Sequence, residues 1–488
     1  MSEKPIVRTE PVSQSATFVR SLGLFSTITL IVGAVIGSGV FMKPALMALQ
    51  LGSPLLLLGV WVLAGIITLF GALTNAEIAG MITETGGQYV YFQRMYGELV
   101  AFLYGWSVFA VTFTGGLASI AYVFAEYAQY FVALPRFSTE VERSFVVILP
   151  YIGSITPLAN MGVKALTILV IVVLTAVNYA SIRAGGAVQN VFTVMKVLAI
   201  GALVGAVFVA PSGNIANFTH NAPSGIPTGF ALLAAIAMAT SGAFWAYDGW
   251  NNITYIAGEV KEPQRTIPRA LLLGMVTVIG VYVLINVAYI YILPIERIAA
   301  SPLVASEAAT VALGSIGGAF IAIAVMISTF GTTNGNILAG ARLYYAMARE
   351  KMFFRSVGVI SPRTKTPARA LLVQAVWSSI LVLSGSFDML TDMLIFVSWL
   401  FYALGAAGVF VLRHKMPDTP RPYKVWGYPF VPAAFVVFAC VFLVVTVVND
   451  VSAFRSGASP VINSALGLVL TATGLPLYWY FRRLKKEG

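Results

Sequence analysis

Charge is what this sequence has least of: 10% of its 488 residues are Asp, Glu, Lys or Arg. Soluble domains carry about a quarter, so the chain lacks the wet surface that would enclose a water-excluded core of its size. Cysteine occurs once, as Cys440, which excludes an intrachain disulfide and a cysteine-built metal site. The two histidines, His220 and His414, fall in loops on opposite sides of the predicted membrane. They cannot share a haem or a metal ion, and no metal or cofactor is expected. No Gly-x-x-x-x-Gly-Lys-Ser/Thr stretch is present, which excludes ATP hydrolysis by the P-loop route. With no catalytic constellation of nucleophile and base, the chain does not read as an enzyme.

Apolar residues are what it has instead, 58% of the total, with mean hydropathy +0.86. Apolar runs of about twenty residues, enough to cross a hydrocarbon core as helix, recur along most of the chain. Backbone in lipid must satisfy its own hydrogen bonds, which leaves helices as the building element. The predicted spans are 23–49, 54–82, 99–133, 163–182, 188–211, 228–257, 268–294, 306–349, 367–386, 388–413, 430–450 and 462–484. The fold class is therefore an all-α polytopic membrane protein of twelve transmembrane helices. The first run is too long for the core of a signal peptide.

The net charge of +11 does not point to nucleic acid, because the bases sit in short loops and at Arg482, Arg483, Lys485 and Lys486. Under the twelve-span reading with both termini cytoplasmic, inner segments carry most of the 30 lysines and arginines, seven of them between Arg342 and Arg369. The predicted outer loops carry Arg136, Arg143, Lys164, Arg297 and Arg455. That is a strong positive-inside bias. Lys43 and Lys196 fall inside spans. Residues 1–22 read as a cytoplasmic segment, 23–211 and 228–413 as two five-helix halves of an inverted repeat, and 414–488 as two further helices with a short cytoplasmic end.

The first span of each half is interrupted. Gly33, Gly37, Ser38 and Gly39 lie within seven residues of the first, at about 1 kcal/mol of lost helix stability per glycine. Close helix packing through Gly33 and Gly37 is the plain alternative. In the sixth span Trp245-Ala246-Tyr247-Asp248-Gly249 precedes Asn251 and Asn252, and a mid-span Asp costs about 2.5–3.5 kcal/mol. The alternative that the span ends near Tyr247 is opposed by the apolar residues that resume at Ile253. Broken helices at matching places of two halves point to a midplane site in a transporter. Exposed N–H groups at a half-helix start attract a carboxylate and exposed carbonyls accept from an ammonium, so an amino acid zwitterion suits both.

Lys196 lies about eight residues into the fifth span, where it serves function or snorkels to the interface. As a functional group it is either a fixed cation linking helices or a carrier of a proton. Asn334 and Asn336 sit mid-span in the eighth helix, lining a cavity or bonding between helices. Glu77 and Glu126 read as interfacial, and Asp388 and Asp392 as ordinary carboxylates at a helix start.

Gly37-Ser38-Gly39-Val40-Phe41 resembles the Gly-Ser-Gly-Ile-Phe of the L-type amino acid transporter family, within the amino acid–polyamine–organocation superfamily. So do Phe244 to Trp250, the run from Tyr255 to Pro263, and Ile267-Pro268-Arg269-Ala270. The same holds for Ser328 to Gly331 with Asn334-Gly335, for Ala341-Arg342-Leu343, and for Leu412 to Pro417 with Arg421-Pro422-Tyr423-Lys424-Val425. The similarity covers nearly the whole chain. It implies a five-plus-five inverted repeat with broken helices 1 and 6 and two added helices, and sodium-independent transport, often by obligatory exchange.

By that resemblance, N–H groups around Ser38 and Gly39 hold the substrate carboxylate, and carbonyls of Val35, Ile36, Trp245 and Ala246 are candidates for the amino group. Trp245 and Tyr247 gate the pocket from outside. Lys196 stands where sodium-coupled relatives bind an ion, bridging the first helix to the eighth near Ser328 and Thr329. Asn334 falls in the matching eighth helix, and Asp248 departs from the pattern, standing where many neutral-substrate members have a small residue; the two complete the expected substrate set. Animal members pair with a heavy chain through a cysteine between spans three and four. None is present there, so no disulfide-linked heavy chain is expected, and the chain reads as a bacterial protein of the cytoplasmic membrane.

The expectation is an exchanger of small or medium neutral L-amino acids such as alanine, serine or threonine, working by alternating access. The alternatives are a proton-coupled or cationic amino acid transporter using Lys196 or Asp248 and, more remotely, an amino-acid-binding membrane sensor.

Overall fold

In the computed structural model, residues 20, 22–83, 86–180, 182–223, 225–364 and 366–487 are described, without side-chain detail at 182–195, 256, 258, 486 and 487. The expected N-terminal segment 1–22 lies almost wholly outside the described residues. The chain opens with α1 (Leu24–Val35) and α2 (Gly39–Leu51), bent by 45° across the break between them. There follow α3 (Pro54–Met81), α4 (Gln88–Tyr96), α5 (Glu98–Ser107) and α6 (Phe113–Ala128). A π-helical turn, Val108–Thr112, joins α5 to α6 into one span.

Next come the short α7 (Thr139–Ser144), strands β1 (Val147–Leu149) and β2 (Gly153–Ile155), α8 (Met161–Ala180) and α9 (Ile182–Val209). The sixth span is α10 (Gly229–Tyr247) continued by 3₁₀ turns over Trp250–Glu259. The remainder is α11 (Pro263–Ile292), α12 (Ile295–Ala300), α13 (Val304–Leu313), α14 (Ser315–Arg349), α15 (Ala368–Ser384), α16 (Phe387–Lys415), α17 (Phe430–Arg455), α18 (Asn463–Ala472) and α19 (Gly474–Glu487).

Eight helical segments among the described residues are long and apolar enough to cross a membrane alone, and the α1–α2 pair makes a ninth. Large apolar side chains such as Leu55, Val172, Val376 and Val441 are exposed on the outer faces of their helices. In lipid those faces cost nothing, since hydrocarbon is their solvent. The chain is a multi-pass membrane protein.

Two expected spans need adjustment. The predicted span 306–349 is two helices, because Gly314 takes φ +76° and turns α13 away from α14. The predicted span 462–484 is likewise divided into α18 and α19. The class is all-helical, with one small antiparallel hairpin of β1 and β2, which pairs Val147 with Ile155 in the loop between spans three and four. Its Val-Ile-Leu strand is β-favouring, and Gly153 also bridges to Val461 before α18.

The two interrupted spans lie against each other. Leu22 N–H donates to the Glu259 carbonyl (3.0 Å) and Lys261 N–H to the Leu22 carbonyl (2.8 Å), which ties the start of α1 to the end of the 3₁₀ run. At the breaks, the Tyr282 hydroxyl of α11 contacts the carbonyls of Val35 and Ala246, each at 2.8 Å. Tyr282 itself packs in a buried aromatic group with Trp61 and Tyr247.

Candidate functional site

A helix that starts at Gly39 leaves its first N–H groups without an intrahelical partner, and one that stops at Tyr247 leaves its last carbonyls open. These two ends meet. A Cβ on Gly39 would stand 2.5 Å from the Ala246 Cα, so only glycine permits this approach. Gly249, at φ +97°, lets the chain reverse after Asp248 in a conformation that L side chains rarely adopt.

Between the ends lies a cavity of about 80 Å³, walled by Val35, Gly37, Ser38, Gly39, Trp245, Ala246, Asp248 and Gly249 from the broken spans. A water needs about 10–15 Å³ of such space, so the cavity suits a handful of heavy atoms. Thr112, Phe113, Gly116 and Ile120 close one side, Thr332 and Asn336 of α14 and Leu394 of α16 another. Ser38 Oγ and Trp245 Nε1 are buried and without a hydrogen-bond partner. The cavity thus lies at a helix start with its dipole, and two of its lining residues carry buried polar groups without a partner.

A second cavity of about 40 Å³ shares Thr112, Phe113, Asp248 and Asn252 with the first and runs to Tyr104, Tyr255, Ser398 and Tyr402. Asp248 stands at the junction. Its carboxylate accepts from the Tyr402 hydroxyl at 2.6 Å, a charge-assisted length. Tyr104 and Tyr255 share a hydrogen bond across the same chamber.

Of the residues named from sequence, Val35, Ser38, Gly39, Trp245, Ala246 and Asp248 line the first cavity. Ile36 is buried beside the break and is not among the lining residues. Tyr247 faces away, donating to the Trp61 carbonyl at 3.1 Å inside the aromatic group. Asn336 reaches the cavity, whereas Asn334 accepts from Asn178 at 2.6 Å on the far side of α14. Lys196 is 3% exposed and donates to the Gly33 carbonyl at 2.5 Å, in the last turns of α1. It shares a small void with Ser328, while Thr329 turns back onto the Val325 carbonyl of its own helix. Lys196 is tied to the first helix, and α14 lies alongside.

Glu77, read as interfacial, is buried in protein against the end of α16 and the loop that follows. At 1% side-chain exposure its two oxygens accept from Nε and Nη2 of Arg413 (2.9 and 2.8 Å), and one also accepts from the Val425 N–H (2.7 Å). Asp388, expected as an ordinary helix-start carboxylate, holds Lys43 at 2.6 Å. Thr112, Thr332 and Tyr402 were not named as site residues from sequence, and Asn252 was noted only as part of the sixth-span interruption. The polar residues among them were visible as hydroxyls and an amide inside apolar runs, but nothing local said which way they pointed.

Residues 22–470 match the family model described as amino acid permease. The chain is 30% identical over 480 residues to the serine/threonine exchanger SteT of Bacillus subtilis (strain 168), covering 96% of this chain and 98% of that one. It is 32% identical over 450 residues to the human b(0,+)-type amino acid transporter 1, covering 91% and 85%. With the human cystine/glutamate transporter it shares 31% over 473 residues, covering 96% and 87%. With the match running from the first broken helix to α18 and through both walls of the cavity, the chain belongs to the amino acid permease family of the amino acid–polyamine–organocation superfamily, among the L-type transporters, and is an amino acid transporter rather than an enzyme.

Proposed function

We propose that this chain is a sodium-independent exchanger of small or medium neutral L-amino acids. The observation that carries the reading is the cavity at the meeting of two helix breaks, with its one lining carboxylate, Asp248, already engaged by Tyr402. The substrate carboxylate would take the free N–H groups around Ser38 and Gly39 and the Ser38 hydroxyl. Its ammonium would face the carbonyls of the lining residues Val35, Trp245 and Ala246, with Val35 and Ala246 each keeping one lone pair beyond the bond to Tyr282. The small volume favours alanine-, serine- or threonine-sized side chains, in keeping with the name of the Bacillus relative.

In this reading the twelve-span count holds, with α9, α15 and the α18–α19 pair crossing alongside the longer helices. Both termini are cytoplasmic, and 23–211 and 228–413 form the inverted repeat. Trp245 closes the cavity on the outer side. Lys196 stands as the fixed cation that a sodium ion would otherwise supply, holding α1 through Gly33 beside Ser328 and Thr329. Asn334 supports α14 through Asn178 rather than touching substrate. No heavy chain is required.

A second reading, transport of cationic amino acids, rests on Asp248 facing the junction of the two cavities. It requires the Tyr402 hydroxyl to yield its acceptor to a substrate cation. The test is uptake of radiolabelled alanine into sodium-free proteoliposomes preloaded with unlabelled amino acids or with buffer. Uptake that depends on internal neutral amino acid supports exchange. Equal uptake into empty vesicles, rising with an inward proton gradient, would replace exchange by proton symport.

A further inference from the structure

Lys43 is a lysine inside a membrane-spanning helix that the cavity does not use. It lies one turn beyond Gly39 on the same face of α2, as Gly242 lies one turn before Ala246 on α10. The two helices therefore repeat their close approach. Where Gly39 meets Ala246, the next rung sets Lys43 against Gly242, and a Cβ at 242 would touch the Lys43 Cδ at 3.4 Å. The absent side chain leaves a slot for the lysine stem, which passes to the first turn of α16.

There the ammonium donates to Asp388 at 2.6 Å and to Thr391 at 2.8 Å, and lies 4.7 Å from the Phe387 ring centroid. The edge of the same Phe387 meets Trp245, which walls the cavity, with ring centroids 6.1 Å apart. One turn along α16, Asp392 takes the Ser241 hydroxyl of α10 at 3.4 Å. Three helices, α2, α10 and α16, are thus fastened together just beyond Trp245.

The pair is asymmetric. Lys43 is 1% exposed, while the Asp388 carboxylate is 49% exposed. A fully buried pair is hard to separate, because both charges must be rehydrated by a new route. Here one partner is already wet, so the bond can open when α2 moves and re-form when it returns.

We propose that the Lys43–Asp388 pair is a reversible latch that holds the cavity shut on the Trp245 side, with Lys43 a positioning residue of the transport cycle. This rests on the alternating-access reading above. The latch stabilises the state closed on that side and is broken in the state open there, so removing it shifts the population toward opening.

The test is accessibility of the cavity to a membrane-impermeant methanethiosulfonate reagent. Cys440→Ser removes the native thiol, and Thr332→Cys places a reporter on the cavity wall. In right-side-out vesicles, Asp388→Asn and Lys43→Met are each expected to speed modification of the reporter about tenfold, the effect of losing about 1.4 kcal/mol. The exchanged pair Lys43→Glu with Asp388→Lys is expected to restore the slow rate, which a merely packed lysine would not do. Asp388 is half in water, so its variant tests the latch even if Lys43→Met fails to fold. Acceleration seen instead in inside-out vesicles would keep the latch and reverse the orientation. The assay needs no substrate, so failure of alanine exchange would leave it readable. Unchanged rates in Asp388→Asn from both faces would overturn the latch.

Discussion

Replacing Tyr402 with phenylalanine removes one oxygen and leaves the ring where it is. That ring sits 5.2 Å from Trp250 and 6.4 Å from Trp399, centroid to centroid, and phenylalanine keeps both contacts. What disappears is the donor held 2.6 Å from the Asp248 carboxylate. A hydrogen bond to a charged group contributes about 1.5–3 kcal/mol, and a carboxylate left short of partners in a small cavity gains that much from a substitute cation. At about 1.4 kcal/mol per tenfold, the preference for lysine or ornithine over alanine is expected to rise roughly ten- to a hundredfold in Tyr402→Phe. Competition of unlabelled amino acids against radiolabelled alanine in proteoliposomes reads this ratio directly. Asp248→Asn combined with Tyr402→Phe should abolish the gain, because no charge remains to be compensated. A lysine-to-alanine ratio that stays at the parent value in Tyr402→Phe, with alanine exchange intact, would refute the reasoning and remove Asp248 from side-chain selection.

Other perturbations separate packing from transport. Gly39→Ala drives a methyl to within 2.5 Å of the Ala246 Cα. It is expected to abolish alanine exchange, while Gly59→Ala, whose Cβ would meet nothing within 4 Å, should leave both exchange and melting temperature unchanged. Glu77→Gln removes the charge opposite Arg413 and Arg421. Breaking a buried pair by one partner costs about 3–5 kcal/mol, so a thermal melt in detergent should drop clearly. Lys196→Ala deletes the donor to Gly33, and should lower the exchange rate by at least tenfold with the protein still inserted. An unaltered rate would reduce Lys196 to a snorkelling side chain.

The helix breaks were legible because their cause is local. Glycines clustered at 33–39, and an Asp-Gly pair at 248–249, contradict the apolar runs around them, and a chain in lipid tolerates that contradiction only where the backbone finds other partners. The structure breaks at both, between α1 and α2 and after Tyr247. Gly314 was the same kind of signal, but it is one of six glycines in a predicted run of 44 residues, and the other five, Gly317 and Gly318 nearest, stay helical in α14, so glycine alone did not mark the turn. Direction was harder to read than position. Asn334 and Asn336 are two apart on α14, so they face different ways. Which of them meets the cavity depends on the roll of α14 against α6 and α8, a matter of packing that no local pattern encodes.

The ion pairs were illegible for a different reason. Glu77 and Arg413 are 336 residues apart, and Lys43 and Asp388 are 345. Read singly, each charge near a span end is explained well enough by the interface, since a lone carboxylate or ammonium there reaches water. Only the pairing makes burial the better outcome, and it forms only once helices from both halves have assembled. The two pairs nevertheless differ in a way that bears on movement. Glu77 is satisfied by two arginines and a backbone N–H and is 1% exposed, so separating it strands a buried charge with several broken bonds. Asp388 has one ammonium and open water. Of the two fastenings, the pair at Glu77 is built to stay and the pair at Lys43 to open. On the alternating-access reading proposed above, the chain keeps the charge at Glu77 fully paired and leaves the separable pair at Lys43 half exposed.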